Sequence, residues 1–448
     1  MHALYAATLL AVAVPFALSP VVAQAPEREP DAKATGKVYE WKSADGLVYQ
    51  YYLPKDYDAG QPINLTFVLH GSNLDRRWGF ANHQAGTFRA ADLVVCPDGT
   101  TSNGNGGFNF LQGKKDLERL HGLHVELKQK FDVRATYVYG HSQGSFFSFL
   151  YAGAYPDDVT GVVGQASGVW IGTQATKKHH HQAIVLMHGT ADPVVPYGQS
   201  VGGLEFYQEA GYPHVRLRSL DGWNHWPAQL QTEQELAWCE AMTTADPGRL
   251  AAAFEAIDTQ KERVDPAALY QTAKRVVATD GVDDKVKKAA TDAIAAVEAC
   301  AGDHVYAIEK SLGKGKRTLC DKPWVGHLPL FLRHFRGVPA CDELATDWQK
   351  LLEKQQDLVS KTAREFWQNR EQKPEKAFAA GLELVEGAFL TSIADNEEIL
   401  GSLDKWADGK TLKLSKKELK AFKEAVPVLR EAREKGRKSF DKVDRRFG

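Results

Sequence analysis

The pentapeptide Gly140-His141-Ser142-Gln143-Gly144 constrains this chain more than any other feature. It follows an apolar run, Thr136–Tyr139, with the composition of a buried strand. It precedes Ser145–Tyr155, which has helical character. A G-x-S-x-G sequence at a strand-to-helix junction forms a turn too tight for a Cβ at either flank. The strain of that turn lifts the serine oxygen clear of the sheet edge. The pattern therefore predicts a nucleophile at Ser142, and a sheet whose strands lead into helices.

The rest of the first half agrees with such a sheet. Lys37–Lys42 and Leu47–Leu53 read as paired strands around the turn Ala44-Asp45-Gly46. Leu65–Leu69, Leu93–Cys96, Val159–Val163, Ile184–Met187 and Val215–Leu220 read as further buried strands. Helical patterns lie between them, one with Leu117, Leu120, Leu123, Leu127 and Phe131 on one face. Strands alternating with helices predict a mostly parallel sheet covered on both faces.

Three other loops follow strands and carry chemistry-bearing residues. After Leu65–Leu69 comes His70-Gly71-Ser72-Asn73, a turn suited to offer one backbone N–H, that of Ser72, to a developing oxyanion. The second donor is the N–H of Gln143, directly after the nucleophile. After Ile184–Met187 comes His188-Gly189-Thr190-Ala191-Asp192-Pro193-Val194-Val195-Pro196, which places a carboxylate, Asp192, on a proline-stiffened loop. After Val215–Leu220 comes Gly222-Trp223-Asn224-His225-Trp226-Pro227. Of the 15 histidines, His225 alone follows the last strand downstream of that acid. Leu204–Gly211 supplies the helix between acid and base. Ser142, Asp192 and His225 thus stand in the order of a Ser-Asp-His triad. His70 and His188 read as structural or supporting, and His141 as the variable position of the turn.

Beyond Ala245 the strand-like runs stop and period-3.6 patterns take over. Leu344, Trp348, Leu351, Gln355, Leu358 and Phe366 trace one stripe, and Phe378, Leu382, Val385, Phe389 and Ile393 another. Ser415 with Glu418 matches a capping box before Leu419–Val426. A break with Gly, Pro and two cysteines spans Lys314–Cys341. The expected organisation is a signal peptide over 1–25, a linker over 26–36, a catalytic domain over 37–244 and an all-α domain over 245–448.

The signal is read from the apolar run Ala3–Val22 and the A-x-A sequence Ala23-Gln24-Ala25. An uncleaved N-terminal anchor is the alternative. No later stretch nears the roughly 18 apolar residues needed to span a membrane, so the expected location is secreted or periplasmic. A net charge of −2 gives no field to attract nucleic acid. Export would favour disulfides. Among Cys96, Cys239, Cys300, Cys320 and Cys341, proximity in sequence suggests a Cys300–Cys320 or a Cys320–Cys341 bond, and the odd count leaves at least one free thiol or an intermolecular bond. Cys96 reads as a buried small hydrophobe.

Several features carry no chemistry. Asn103–Gly107 and Gly313-Lys314-Gly315-Lys316 lack the Lys-Ser/Thr of a phosphate loop. His179-His180-His181 reads as a solvated loop. His121 and His124 share a helix face without a third ligand, and no cysteine pair has zinc spacing, so no metal or other cofactor is expected. Of the aromatics near the motifs, Trp78, Phe110 and Trp226 are candidates to line a substrate pocket.

Residues 37–244 resemble the esterase branch of the α/β-hydrolase superfamily. The likeness rests on Leu69-His70-Gly71-Ser72, Gly140-His141-Ser142-Gln143-Gly144, Gly189-Thr190-Ala191-Asp192-Pro193-Val194-Val195-Pro196, and His225 with Trp226-Pro227. They are similar to the polyhydroxybutyrate depolymerase and feruloyl-esterase type, and to the phospholipase/carboxylesterase type. Ser145 stands where the depolymerase branch often has Gly. The resemblance implies an α/β-hydrolase fold and a cofactor-independent serine esterase acting on small or polymeric esters. The rival readings are a serine peptidase of the same fold, and a binding or scaffold protein without activity. Oligomeric state stays open.

Overall fold

The computed structural model describes residues 24–259, 263–312, 324–387, 393–408 and 412–447. Most of the expected signal peptide, Cys320 and Phe389 lie outside the described residues.

The first half builds a twisted eight-stranded sheet. Its strands are β1 (Val38–Lys42), β2 (Val48–Tyr52), β3 (Ile63–Leu69), β4 (Asp92–Pro97), β7 (Val133–His141), β8 (Gly161–Gln165), β9 (Ala183–Gly189) and β10 (Val215–Leu220). A separate small hairpin, β5 (Thr101–Ser102) with β6 (Phe108–Asn109), lies between β4 and β7 in sequence. The spatial order in the large sheet is β1-β2-β4-β3-β7-β8-β9-β10. β2 pairs antiparallel with β1 and β4, and every pair from β4 to β10 is parallel. This is the mostly parallel α/β-hydrolase sheet expected from the alternation of strands and helices.

The strands read as unbroken apolar runs because both faces are covered, and the pleat sorts their residues by turns. Phe67 and Leu69, Val138, Val162, Ile184 and Leu186 face one core. Val68, Tyr137 and Tyr139, Val163 and Val185 face the other. The first core is sealed by α2 (Lys114–Lys130), α3 (Gln143–Ala154) and α4 (Gly198–Glu209), through residues such as Leu123, Phe147 and Tyr207. The second is sealed by α1 (Arg77–Asn82) and α5 (Gln229–Thr243), through Trp78 and Trp238. Each large side chain buried this way contributes roughly 1.5–3 kcal/mol.

The second half is helical among the described residues: α6 (Pro247–Asp258), α7 (Pro266–Ala278), α8 (Asp284–Leu312), α9 (Trp324–His334), α10 (Pro339–Asn369), α11 (Pro374–Gly387), α12 (Ile393–Ala407) and α13 (Lys416–Asp441). The capping box at Ser415 is formed, with Ser415 and Glu418 bonding each other's backbone N–H. α9 occupies part of the segment read as a break, despite Gly326 and Pro329. The apolar core does not pause at Thr244. The cluster on the α5 face of the sheet runs on through Phe254, Leu269, Val297, Phe331, Trp348 and Phe440. Buried ion pairs cross the same boundary. Asp265, at the N-cap of α7, bonds Arg216 and Arg218 of β10, and Arg216 also reaches Glu235 of α5.

Residues 26–36 are not a free linker. Arg28 N–H donates to Glu40 O, Gly36 N–H to Leu53 O, and Ala34 is fully buried. Their polar composition hides this, because the attachment is made by backbone groups. Cys96, Cys239, Cys300 and Cys341 are buried thiols, with no disulfide among the described residues.

Candidate active site

The sheet delivers four loops to its carboxyl edge, where open parallel sheets place their ligands. Ser142 ends β7 and starts α3 with φ 54° and ψ −121°, a conformation that costs of order 1–3 kcal/mol. Its neighbours make the turn feasible. A Cβ on Gly140 would lie 2.4 Å from Gly144 O, and one on Gly144 would lie 2.4 Å from His70 O. The Ser142 N–H donates to Gln165 O on β8 at 2.8 Å, tying the turn to the next strand.

Asp192 and His225 meet across the loops after β9 and β10. His225 Nδ1 lies 2.7 Å from Asp192 Oδ2, with the carboxylate side chain fully buried and the imidazole 15% exposed. Asp192 Oδ1 accepts the N–H groups of Val194 at 2.8 Å and Val195 at 3.0 Å. Burial raises the Asp192 carboxyl. Hydrogen bonds from His188 and His225 outweigh it and hold the group well below the usual carboxylate range. The carboxylate is therefore ionised, and it meets His225 at Nδ1, so the ring's Nε2 is not taken up by it.

The histidine loop is pinned from below. His141 Nε2–H donates to His225 O at 2.6 Å, and the two rings lie 4.9 Å apart. Gln165 Nε2 donates to Trp226 O at 2.9 Å, and its Oε1 accepts from the Tyr139 hydroxyl. Burial pushes His141 down to about 3, so its ring is neutral and acts as a strut. Ser142 follows His141 directly, which brings the candidate nucleophile close to the loop that carries His225. Among the hydrogen bonds of the described residues none joins Ser142 Oγ to His225. Such bonds commonly tighten only when substrate closes the site.

Against the other side of Ser142 sits the turn after β3. A Cβ on Gly71 would lie 3.3 Å from Ser142 Cβ. His70 sets this turn: Nδ1–H donates to Gly71 O at 2.7 Å, while Nε2 accepts the Gly99 N–H at 2.9 Å. The N–H groups of Ser72 and Gln143 have no backbone partner among the described residues. Both remain available as donors.

The aromatic candidates divide. Phe110 is 0% exposed and packs between His70 and Phe147, and Trp78 is 8% exposed and stacks on His141. Both rings belong to the support beneath the site, because the sheet needs apolar cover on each face. Neither is a pocket wall. Trp226 is 49% exposed and stays at the surface beside His225. Of the supports, Gln165 escaped the sequence reading, which gives His188 a structural or supporting part and His141 only the variable position of the turn. Their only signal is a polar residue at the carboxyl end of an apolar strand run. A cavity of about 970 Å³ opens elsewhere, between the end of β10 and the C-terminal helices, lined by Thr190, Gly222 and Trp223 but by no member of the candidate triad. Among the described residues, no three His, Cys, Asp or Glu are grouped to hold a metal, and no helix is long and apolar enough to cross a membrane.

A serine on a strained turn, beside an imidazole held by a buried carboxylate, on this sheet defines a hydrolase-type site. Residues 114–234, which include the turn, the acid and the histidine, match the phospholipase/carboxylesterase family model. This region thus has the α/β-hydrolase fold, and over residues 114–234 it is similar to the phospholipase/carboxylesterase family. Solved structures that resemble the chain include a thermostable esterase (18% identity, TM-score 0.33, 41% of this chain and 54% of that one). The chain thus spans about half the length of that esterase. Others are the Bacillus cereus carboxylesterase (18%, TM-score 0.36, 44% and 94%) and a feruloyl esterase module from Clostridium thermocellum complexed with sinapinate (14%, TM-score 0.35, 45% and 89%). No curated protein matches the sequence.

Proposed function

We propose that this protein is an exported serine hydrolase that cleaves carboxylic esters through an acyl-enzyme. The observation that carries the reading is the 2.7 Å bond from His225 Nδ1 to the buried Asp192, beside a serine held at φ 54°. Ser142 Oγ attacks the ester carbonyl carbon, and His225 Nε2 takes the hydroxyl proton. The negative oxygen of the tetrahedral intermediate is received by the N–H groups of Ser72 and Gln143, each typically worth about 3–4 kcal/mol. Collapse breaks the bond to the alkoxy group, which leaves as the alcohol with the proton from His225. Water then attacks the acyl-serine by the same route in reverse, releasing the acid.

The substrate side is apolar. Ile171, Val194 and Trp226 are exposed hydrophobics on the loops that follow β8, β9 and β10, and Leu111 is another just after the small hairpin. That rim supports esters with apolar acyl or aryl groups, free or within a polymer. Export rests on the apolar run Ala3–Val22 and is checked by N-terminal sequencing of the mature protein.

The test uses purified protein, nitrophenyl esters of graded chain length and feruloyl esters. Ser142→Ala is expected to lower turnover by about 10⁴–10⁶ and to abolish labelling by a fluorophosphonate, while circular dichroism stays unchanged. Full activity in that variant overturns the reading.

A further inference from the structure

The bonds of Asp192 do not end at His225. His188, the penultimate residue of β9, has a fully buried side chain whose Nε2 lies 3.2 Å from Asp192 Oδ2 and 3.0 Å from Val195 O. Both neighbours are acceptors, so Nε2 carries a hydrogen and donates. On the other side of the ring, Nδ1 lies 2.7 Å from the hydroxyl of Ser200, in the first turn of α4. That hydroxyl also contacts Ser167 O in the loop after β8. The titratable and charged groups around His188 are Asp192, His225 beyond it, and Tyr197, whose ring stands edge-on at 5.8 Å with the Arg333 guanidinium of α9 over it.

Asp192 Oδ1 is filled by two backbone N–H groups, and Oδ2 is shared by two imidazoles. A buried acceptor shared by two donors pulls on each less strongly than it would on one alone. We infer that His188 is a positioning residue for the proposed triad: it holds Asp192 from behind and, by sharing Oδ2, limits how strongly the carboxylate draws on His225. The inference rests on the proposed serine-hydrolase reading. It assigns a use to a buried imidazole that touches neither nucleophile nor substrate. Removing the donor has two consequences. Oδ2 acts on His225 alone, which favours the protonated base, and the carboxylate gains freedom to rotate.

Three full-length variants test this, His188→Leu, His188→Gln and Ser200→Ala, with kcat and KM measured against pH on a soluble nitrophenyl ester. His188→Leu is expected to lower kcat by about 10–100-fold, the usual cost of losing an orienting partner, with KM within about twofold of the parent. The acid limb of kcat/KM is expected to move to higher pH. His188→Gln, which keeps an N–H donor, is expected to recover part of both effects. Ser200→Ala, which frees the ring from its other side, is expected to move the limb the same way by less. If His188→Leu does not fold, the Ser200→Ala profile decides the matter. A profile superimposed on that of the parent, with kcat falling only as the folded fraction falls, overturns the inference. An active Ser142→Ala instead overturns the underlying reading of the site. An inactive Ser142→Ala beside an unshifted His188→Leu overturns only this one.

Discussion

The sheet region and the helical region both bury histidines, but they use them differently. Around the candidate site three buried imidazoles are wired to loops, His70 to Gly71 and Gly99, His141 to the His225 carbonyl and His188 to Asp192, while His83, farther back, packs against Trp78, Phe88 and Tyr139. In the helical region His304 faces His327 at 2.8 Å among Phe331, Phe335 and Phe440, and His304 Nε2 has no partner among the described residues. An imidazole bonded to backbone fixes where a loop goes. An imidazole packed among phenylalanines fixes no loop and makes the packing sensitive to acid. His334 of α9 bridges the contrast: it is buried, and its Nε2 reaches Asp221 Oδ2 at 2.6 Å in the loop after β10, so the two regions share that contact as well as one core.

The strongest way to break that picture is to cut the shared core electrostatically. Asp265→Asn keeps a capping side chain on α7 but removes the buried carboxylate that Arg216 and Arg218 share. Breaking a buried pair costs about 3–5 kcal/mol. Esterase activity and helical circular dichroism are expected to be lost together in one urea transition, at a lower midpoint than in the parent. Two separated transitions would show that the regions fold apart.

Acid sharpens the comparison next. Burial pushes His304 down to about 3 and His327 to about 4. In the sheet region it pushes His141 down to about 3, and His70, His83 and His124 to about 4. The folded state thus resists protonation that the unfolded chain accepts near pH 6.5. This stability is fully present above about pH 6.5 and is lost as pH falls toward 4 and 3, by up to about 1.4 kcal/mol per unit for each histidine. Urea midpoints measured from pH 7 to 4.5 are expected to fall steadily. His304→Phe, which replaces one such group with an apolar ring, is expected to flatten the slope by about one histidine's share. An unchanged slope would remove His304 from the account.

The smallest effect belongs to the helical surface. Ser415→Ala removes the capping box of α13 and is expected to cost about 1 kcal/mol, read as a modest shift in thermal midpoint with kcat unchanged. A drop in kcat would tie α13 to the site.

Legibility in the sequence followed burial and length. β3, β4, β7, β8, β9 and β10 were readable because strands covered on both faces become apolar runs. α1 has 6 residues, and the hairpin strands have 2 each, too few for a period to show. α9 was hidden by its glycine and proline. Ser142, Asp192 and His225 stood out because each is a reactive residue in a turn directly after such a strand. Gln165 did not, since a polar residue ending a strand is unremarkable until its partner is known, and His188 showed a supporting part but not the partner it supports. Phe110 and Trp78 looked like pocket walls because an aromatic near a motif carries no sign of which way it faces.

The sequence by itself determined the strand-to-helix alternation, the strained turn at Ser142 and the order of Ser142, Asp192 and His225 on loops after strands, because local sterics and periodic burial are written residue by residue. Only the tertiary structure decided that residues 26–36 dock on the sheet, that the helical half continues its core, and that two histidines share one oxygen of Asp192. Those outcomes depend on which surfaces and which lone pairs meet across distant segments, and a side chain's identity does not encode its partner.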